Sequence, residues 1–281
     1  MHVLGLLLCL MGFPLLGARE FHTKIIDIDY GYHPSDEVLV FLGNGQVVKL
    51  NQSTSFLQDD FKNRMNNNGW YRIRVDEKRF MTEAVEVQAP TTFLRGSDSF
   101  VLAPMNYVPT TISSMKKAQA YHQEARYNPK ESQCFNRAMV WSYEWWRKHS
   151  LKSNKIFIYF TRSYIRKYNF EWWFHIAPYV HVMENEKVVE RVLDIKYTSG
   201  PRKFQDWANI FLKNDAPCSV ITKYSDYADY PYSGDCFFQR THMYTYQPSD
   251  LQMYEAWGYS KDKFNMDEVR GAYLEAFNEN I

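Results

Sequence analysis

The stretch "WWFHIAPYVHVMENEKVVERVLDI", residues 172–195, decides the fold. Its first half alternates, with His175, Ala177, Tyr179 and His181 on one face and Phe174, Ile176, Val180 and Val182 on the other, which is the period of a β-strand. The polar run Glu184 to Lys187 turns the chain, and "VVERVLDI" returns as a second strand. If the loop holds two or four residues, paired positions sum to an odd number. His175 and Asp194 then share a face, either opposite or diagonal to one another. Pro178 interrupts this pattern, because it removes a ladder donor and such positions attract bulges that shift the parity.

Upstream lie the strand "KIFIYF" and the run "ESQCFNRAMVWSYEWWRK", residues 131–148, which reads as a helix. Cys134, Ala138, Trp141 and Trp145 fall on one stripe of it, so the cysteine leads a core-facing row. With Ser132 as N-cap, Cys134 lies in the first turn, where the helix dipole and free N–H groups favour a thiolate. Asn128-Pro129-Lys130-Glu131 also fits a capping box with proline at the first helical position, and that start moves Cys134 into the second turn. A helix followed by antiparallel strands predicts an α+β domain, with the Cys134 helix packed on an antiparallel sheet.

Residues 21–87 read as strands with one helix. "VLVFLGNGQVVKL" is a hairpin signal around Asn44-Gly45, and "TSFLQDDFKNRM" has helical spacing. This predicts a smaller β-rich N-terminal domain, with the Pro/Ser/Thr-rich segment from Ala89 to Lys130 as linker or processing loop. Further on, "PRKFQDWANIFLKN" is amphipathic through Phe204, Trp207, Ala208, Phe211 and Leu212. A last helix begins at Asn265 and buries Val269, Ala272, Tyr273, Ala276 and Phe277.

The chain has 281 residues, with 33 Lys and Arg against 32 Asp and Glu, so its formal charge of +1 offers no field to hold a polyanion and argues against nucleic acid as partner. The apolar run from Val3 to Leu16, too short to span a bilayer and followed by Gly17-Ala18, predicts an export signal over residues 1–18. A secreted or periplasmic protein without a membrane span follows. After removal of Cys9, three cysteines remain. Cys218 and Cys236 flank a Tyr/Asp/Pro/Gly-rich loop that a disulfide would close, stabilising the fold by about 3 kcal/mol. Cys134 is then left unpaired. There is no C-x-x-C or H-x-x-x-H pair, so no metal site is expected.

Cys134, His175 and Asp194 have the chemistry of a thiolate nucleophile, its base and the acceptor that orients the base. They also have plain readings, as an inert buried thiol, a satisfied core histidine and a strand-end aspartate; His181 is a rival base on the same face. The aromatic richness from Trp141 to Trp173 fits a core as well as a substrate platform.

Ser-Gln-Cys-Phe-Asn-Arg-Ala at 132–138, Trp-Trp-Phe-His-Ile-Ala at 172–177 and Val-Leu-Asp at 192–194 resemble the Cys, His and Asp blocks of secreted bacterial protein-glutaminases. These are glutamine deamidases of the transglutaminase-like, papain-related superfamily. The resemblance implies a pro-region over residues 19–115 that blocks the cleft, and a catalytic domain over 116–281. It implies hydrolysis of accessible glutamine side chains in proteins or peptides by Cys134, His175 and Asp194. The Cys134 backbone N–H would form the oxyanion hole with Gln133 or Asn128, and no cofactor is required; Trp172 and Trp173 are candidate substrate-binding residues, and would be the contact residues of a binding protein. A transglutaminase or a papain-like peptidase would use the same triad; a secreted binding protein with a degenerate site is the reading of another class.

Overall fold

In the computed structural model, residues 19–33, 36–50, 69–89, 101–102, 107–126, 132–213, 218–279 and 281 are described. The expected export signal, the helix within 54–65 and Asn128 lie outside them. The chain divides into two compact units, one of residues 1–43 and 48–88, the other of residues 44–47 and 89–281.

The first unit is all β among the described residues. Strands β1 (Arg19–Thr23), β2 (Ile25–Asp29), β3 (Val38–Leu42), β4 (Val47–Leu50), β5 (Trp70–Val75) and β6 (Met81–Val87) form two three-stranded sheets, ordered β1-β5-β6 and β2-β3-β4. In β5 the alternation is direct: Tyr71, Ile73 and Val75 are buried, while Arg74, between them, pairs with Glu20 and Glu83 across both neighbouring strands. The turn between β3 and β4 sets Gly45 at φ 88°, where a residue with a Cβ is strained. Val40, Leu42, Val48, Ile73 and Val75 fill the core.

The second unit contains, in order, β7 (Val101–Leu102), β8 (Thr111–Ile112), α1 (Met115–Glu124), α2 (Cys134–His149), β9 (Asn154–Phe160), α3 (Arg162–Tyr168), β10 (Phe174–Glu184) and β11 (Lys187–Val192). There follow α4 (Phe204–Ala208), β12 (Ser219–Ile221), α5 (Ser225–Ala228), β13 (Cys236–His242), α6 (Pro248–Trp257), β14 (Tyr259–Ser260) and α7 (Met266–Phe277). The main sheet runs β11-β10-β9-β13-β12, antiparallel except for β12 on β13, with β8 parallel to β10. All residues of β9 are buried, as befits a central strand covered on both faces.

Helix α2 lies against β10 and α7, burying Trp141 and Trp145 on Val180, Val182 and Leu193. Each such indole withdraws roughly 200 Å² from water. Arg147, Lys148 and His149 in its last turn complement the helix dipole, and Ser150 in the left-handed conformation ends it. The α+β architecture, with the Cys134 helix on an antiparallel sheet and β-rich structure before it, is the one expected.

Several boundaries differ. The helix begins at Cys134, not near Glu131. The amphipathic segment from Pro201 keeps its buried residues Trp207, Ala208, Phe211 and Leu212, yet among its described residues, 201–213, only Phe204–Ala208 is helical, because turns replace the ladder from Asn209. Within 89–130, read as linker, α1 forms a helix capped by Ser114; it buries only Ala118, Tyr121 and His122, too sparse an apolar pattern to register. Asn265 caps α7 as expected, while Glu268 bonds Lys261. Cys218 and Cys236 are joined by a disulfide, their Cα atoms 4.7 Å apart. No helix among the described residues is long and apolar enough to cross a membrane.

Candidate active site

The hairpin arithmetic resolves first. Strands β10 and β11 pair antiparallel from Tyr179↔Val192 to Glu184↔Lys187, joined by the two-residue turn Asn185-Glu186, both at positive φ. This is the turn length and handedness that suits twisted strands. Pro178 introduces no bulge: β10 pairs with β9 without a break from Phe174↔Tyr159 to Tyr179↔Asn154. Its carbonyl accepts from Leu193 N at 2.9 Å, so its missing donor faces the side on which β11 ends. The chain beyond β11 then delivers Asp194 diagonally to His175, whose Nε2 donates to Asp194 Oδ2 at 2.7 Å. Both side chains are 1% exposed.

Cys134 is the first residue of α2 and is partly exposed. The expected cap differs: Gln133, not Ser132, is the N-cap, and it makes no side-chain cap bond. The consequence favours the thiolate, because Cys134 now sits at the very N-terminus among the free N–H groups. With Nε2 of His175 taken by Asp194, Nδ1 is left to face the thiol, which feels both the imidazole and the backbone amide of Ile176. Ile176 shares the parity of Pro178, so its amide points to the edge that β11 vacates.

The charges reinforce one another. Burial alone raises the Cys134 thiol, but the hydrogen bond and charge of His175, the charge of Arg137 and the Ile176 amide together hold it below its ordinary value. Burial alone lowers His175, and Asp194 and Cys134 more than reverse it. Asp194, raised by burial, is pulled below its ordinary value by His175, Arg137 and Trp207.

Aromatic rings box the imidazole. Trp172 stacks on it with ring centroids 5.7 Å apart, Tyr197 meets it edge-on at 5.3 Å, Phe211 lies at 4.7 Å and Trp207 at 5.6 Å. Such walls exclude water and strengthen the ion pairs inside. Of the two tryptophans expected to contact substrate, Trp172 is partly exposed beside the histidine. Trp173 is a correction: it is 3% exposed and packs on Phe174 and Tyr227 in the core. Gln133 is partly exposed next to Cys134. His181 faces Glu190 across the hairpin, six residues along β10 from His175.

Sequence reasoning missed four supporting residues. Trp207 Nε1 donates to Asp194 Oδ2 at 2.9 Å. Thr198 donates through N and Oγ1 to Asp194 O, both at 2.9 Å, which leaves His122 Nε2 as donor to Thr198 Oγ1 at 3.1 Å. Arg137 is 3% exposed one turn after Cys134. Only Arg137 left a signal, as a charge on the core-facing stripe of "CFNRA". Among the described residues no group of three or more His, Cys, Asp or Glu is placed to hold a metal ion.

Residues 110–211, the segment that carries Cys134, His175 and Asp194, match the family model described as Glutaminase. No curated protein matches the chain. A crystal structure of pro-protein-glutaminase superposes with a TM-score of 0.51 at 14% identity, covering 92% of this chain and 94% of that one. A mutant of pro-protein-glutaminase superposes at 0.52 and 14% identity, covering 83% and 86%. Identity this low speaks for the fold. In sequence over 110–211 this chain is similar to the Glutaminase family, and in fold over most of its length it is similar to pro-protein-glutaminase.

Proposed function

We propose that the protein is a secreted, cysteine-dependent amidohydrolase that converts glutamine side chains of proteins or peptides to glutamate with release of ammonia. The observation that supports it is the relay from the thiol of Cys134 through His175 to Asp194, built at the N-terminus of α2 inside the segment that matches the Glutaminase model.

Cys134 thiolate attacks the γ-carboxamide carbon, and its electron pair forms the C–S bond while the carbonyl becomes an oxyanion. The backbone N–H of Cys134 and the side-chain amide of Gln133 hold that oxyanion. The protonated His175 gives its proton to the departing nitrogen, ammonia leaves, and a thioester remains. His175, now neutral, takes a proton from water, whose oxygen attacks the thioester; the carboxylic product and the thiolate–imidazolium pair result. Asp194 keeps Nε2 protonated and stabilises the imidazolium. Trp172 forms the wall along which the aliphatic part of the glutamine lies. No step calls for a metal or an organic cofactor.

The residues before the catalytic domain, 19–115, act in this reading as a pro-region released by proteolysis. The test is ammonia release from Z-Gln-Gly and from casein by wild type and Cys134→Ala, before and after limited proteolysis between residues 90 and 130. Ammonia that requires Cys134 and rises after nicking, without crosslinks or new peptide termini, is the expected result. Crosslinked casein would turn the reading to a transglutaminase and new termini to a peptidase; silence in every sample would remove the enzymatic reading.

A further inference from the structure

Arg137 stands one turn beyond Cys134 on α2, 3% exposed, on the stripe that faces the core. A buried guanidinium is costly unless something nearby compensates it. Its hydrogen-bond partners are neutral: Nη1 donates to Ser132 O, and to Ser132 Oγ at 3.2 Å. Nε has no partner among the described residues. Compensation therefore has to come from the field of the site.

However the proton is shared between Cys134 and His175, the set of Cys134, His175 and Asp194 carries one net negative charge. His175 and Asp194 are almost wholly buried, so water screens that charge little. Arg137 brings the sum to zero, and because it stands one turn from Cys134 on the same helix it favours the state with the negative charge on sulfur. It also anchors the strand of chain entering α2, where the N-cap Gln133 makes no side-chain bond of its own.

We propose that Arg137 is a positioning residue of the site: its guanidinium balances the charge of the Cys134, His175 and Asp194 set and fixes the entry to α2 through Ser132. The role rests on the reading of Cys134 as nucleophile. The charged and titratable groups around the thiol are His175 on β10, Arg137 on its own helix, and Asp194 after β11; behind Asp194 stand Thr198, His122 of α1 and Arg202.

The experiment follows alkylation of Cys134 by iodoacetamide against pH in the full chain, by mass spectrometry, for wild type, Arg137→Met, Arg137→Gln and Arg137→Lys, with near-ultraviolet circular dichroism to confirm folding. The midpoint of the two neutral variants is expected to rise by about one pH unit or more. Arg137→Lys is expected to keep the wild-type midpoint, because the charge stays, while losing ammonia release, because the shorter lysine side chain does not bring its nitrogen to Ser132 as Nη1 of Arg137 does. A folded neutral variant with the wild-type midpoint, or a lysine variant shifted upward by about a unit, overturns the role of Arg137 alone. A wild-type midpoint at about 8.5, the value of a free thiol, overturns the nucleophile reading and the role of Arg137 with it.

Discussion

Trp207 donates its indole N–H to Oδ2 of Asp194 at 2.9 Å, the same oxygen that accepts from His175 Nε2 at 2.7 Å. One carboxylate oxygen is thus fixed by two donors from different elements, and its position is set before any substrate arrives. Trp207→Phe keeps the ring and removes the N–H. A hydrogen bond to a charged group is worth roughly 1.5–3 kcal/mol, so kcat/KM for ammonia release is expected to fall about tenfold or more, with KM unchanged.

Asp194→Asn keeps the shape of the side chain and removes its charge. The amide can present its N–H₂ to the imidazole and stabilise the wrong tautomer. A loss of roughly three to four orders of magnitude in kcat is expected, with far-ultraviolet circular dichroism unchanged.

The pH profile follows from the directions of the shifts. In the proposed mechanism the pair acts with Cys134 deprotonated and His175 protonated, so kcat/KM should trace a bell. Its acid limb lies below the ordinary thiol value and its alkaline limb above the ordinary imidazole value, both belonging to the pair as a whole. Stability has its own dependence. The contribution of His175, whose value is raised by folding, is fully present below its unfolded value and is lost as pH rises through the folded one. Asp194, depressed by folding, contributes above its unfolded value and ceases to as pH falls through the folded one. Urea unfolding across pH should show both edges, and each edge should vanish in the matching variant.

The disulfide between Cys218 and Cys236 closes a loop with a sequence separation of 18. Replacing both cysteines by serine is expected to cost about 3 kcal/mol in urea unfolding. Because Cys134 is no part of the bridge, the alkylation midpoint should stay where it is.

Glu186 sits at φ 65° in the turn between β10 and β11. A side chain in that region costs roughly 1–2 kcal/mol, so Glu186→Gly is expected to stabilise the protein by about 1 kcal/mol, read as a higher melting temperature.

The sequence disclosed those parts of the site that rest on periodicity. Alternation in β10 and the parity of a short loop brought His175 and Asp194 to one face, and the stripe from Cys134 to Trp145 gave the helix. Trp207 was legible only as a buried residue, because nothing in a periodic pattern says where an indole N–H points. Helix α1 was hidden for the opposite reason: its buried face is short and holds a histidine. Trp173 misled because strand β10 begins only at Phe174, so the alternation that places His175 does not carry back to the two tryptophans before it.

The turn of Asn185 and Glu186 makes the site depend on a count more than on a composition. Every register from that turn to Asp194 is an integer, and one added or deleted residue between Glu184 and Lys187 would move the carboxylate to the far side of its strand, away from the imidazole. A substitution in the turn therefore alters stability and leaves the register in place, whereas an insertion or deletion there is expected to part the carboxylate from the imidazole although neither residue has been altered.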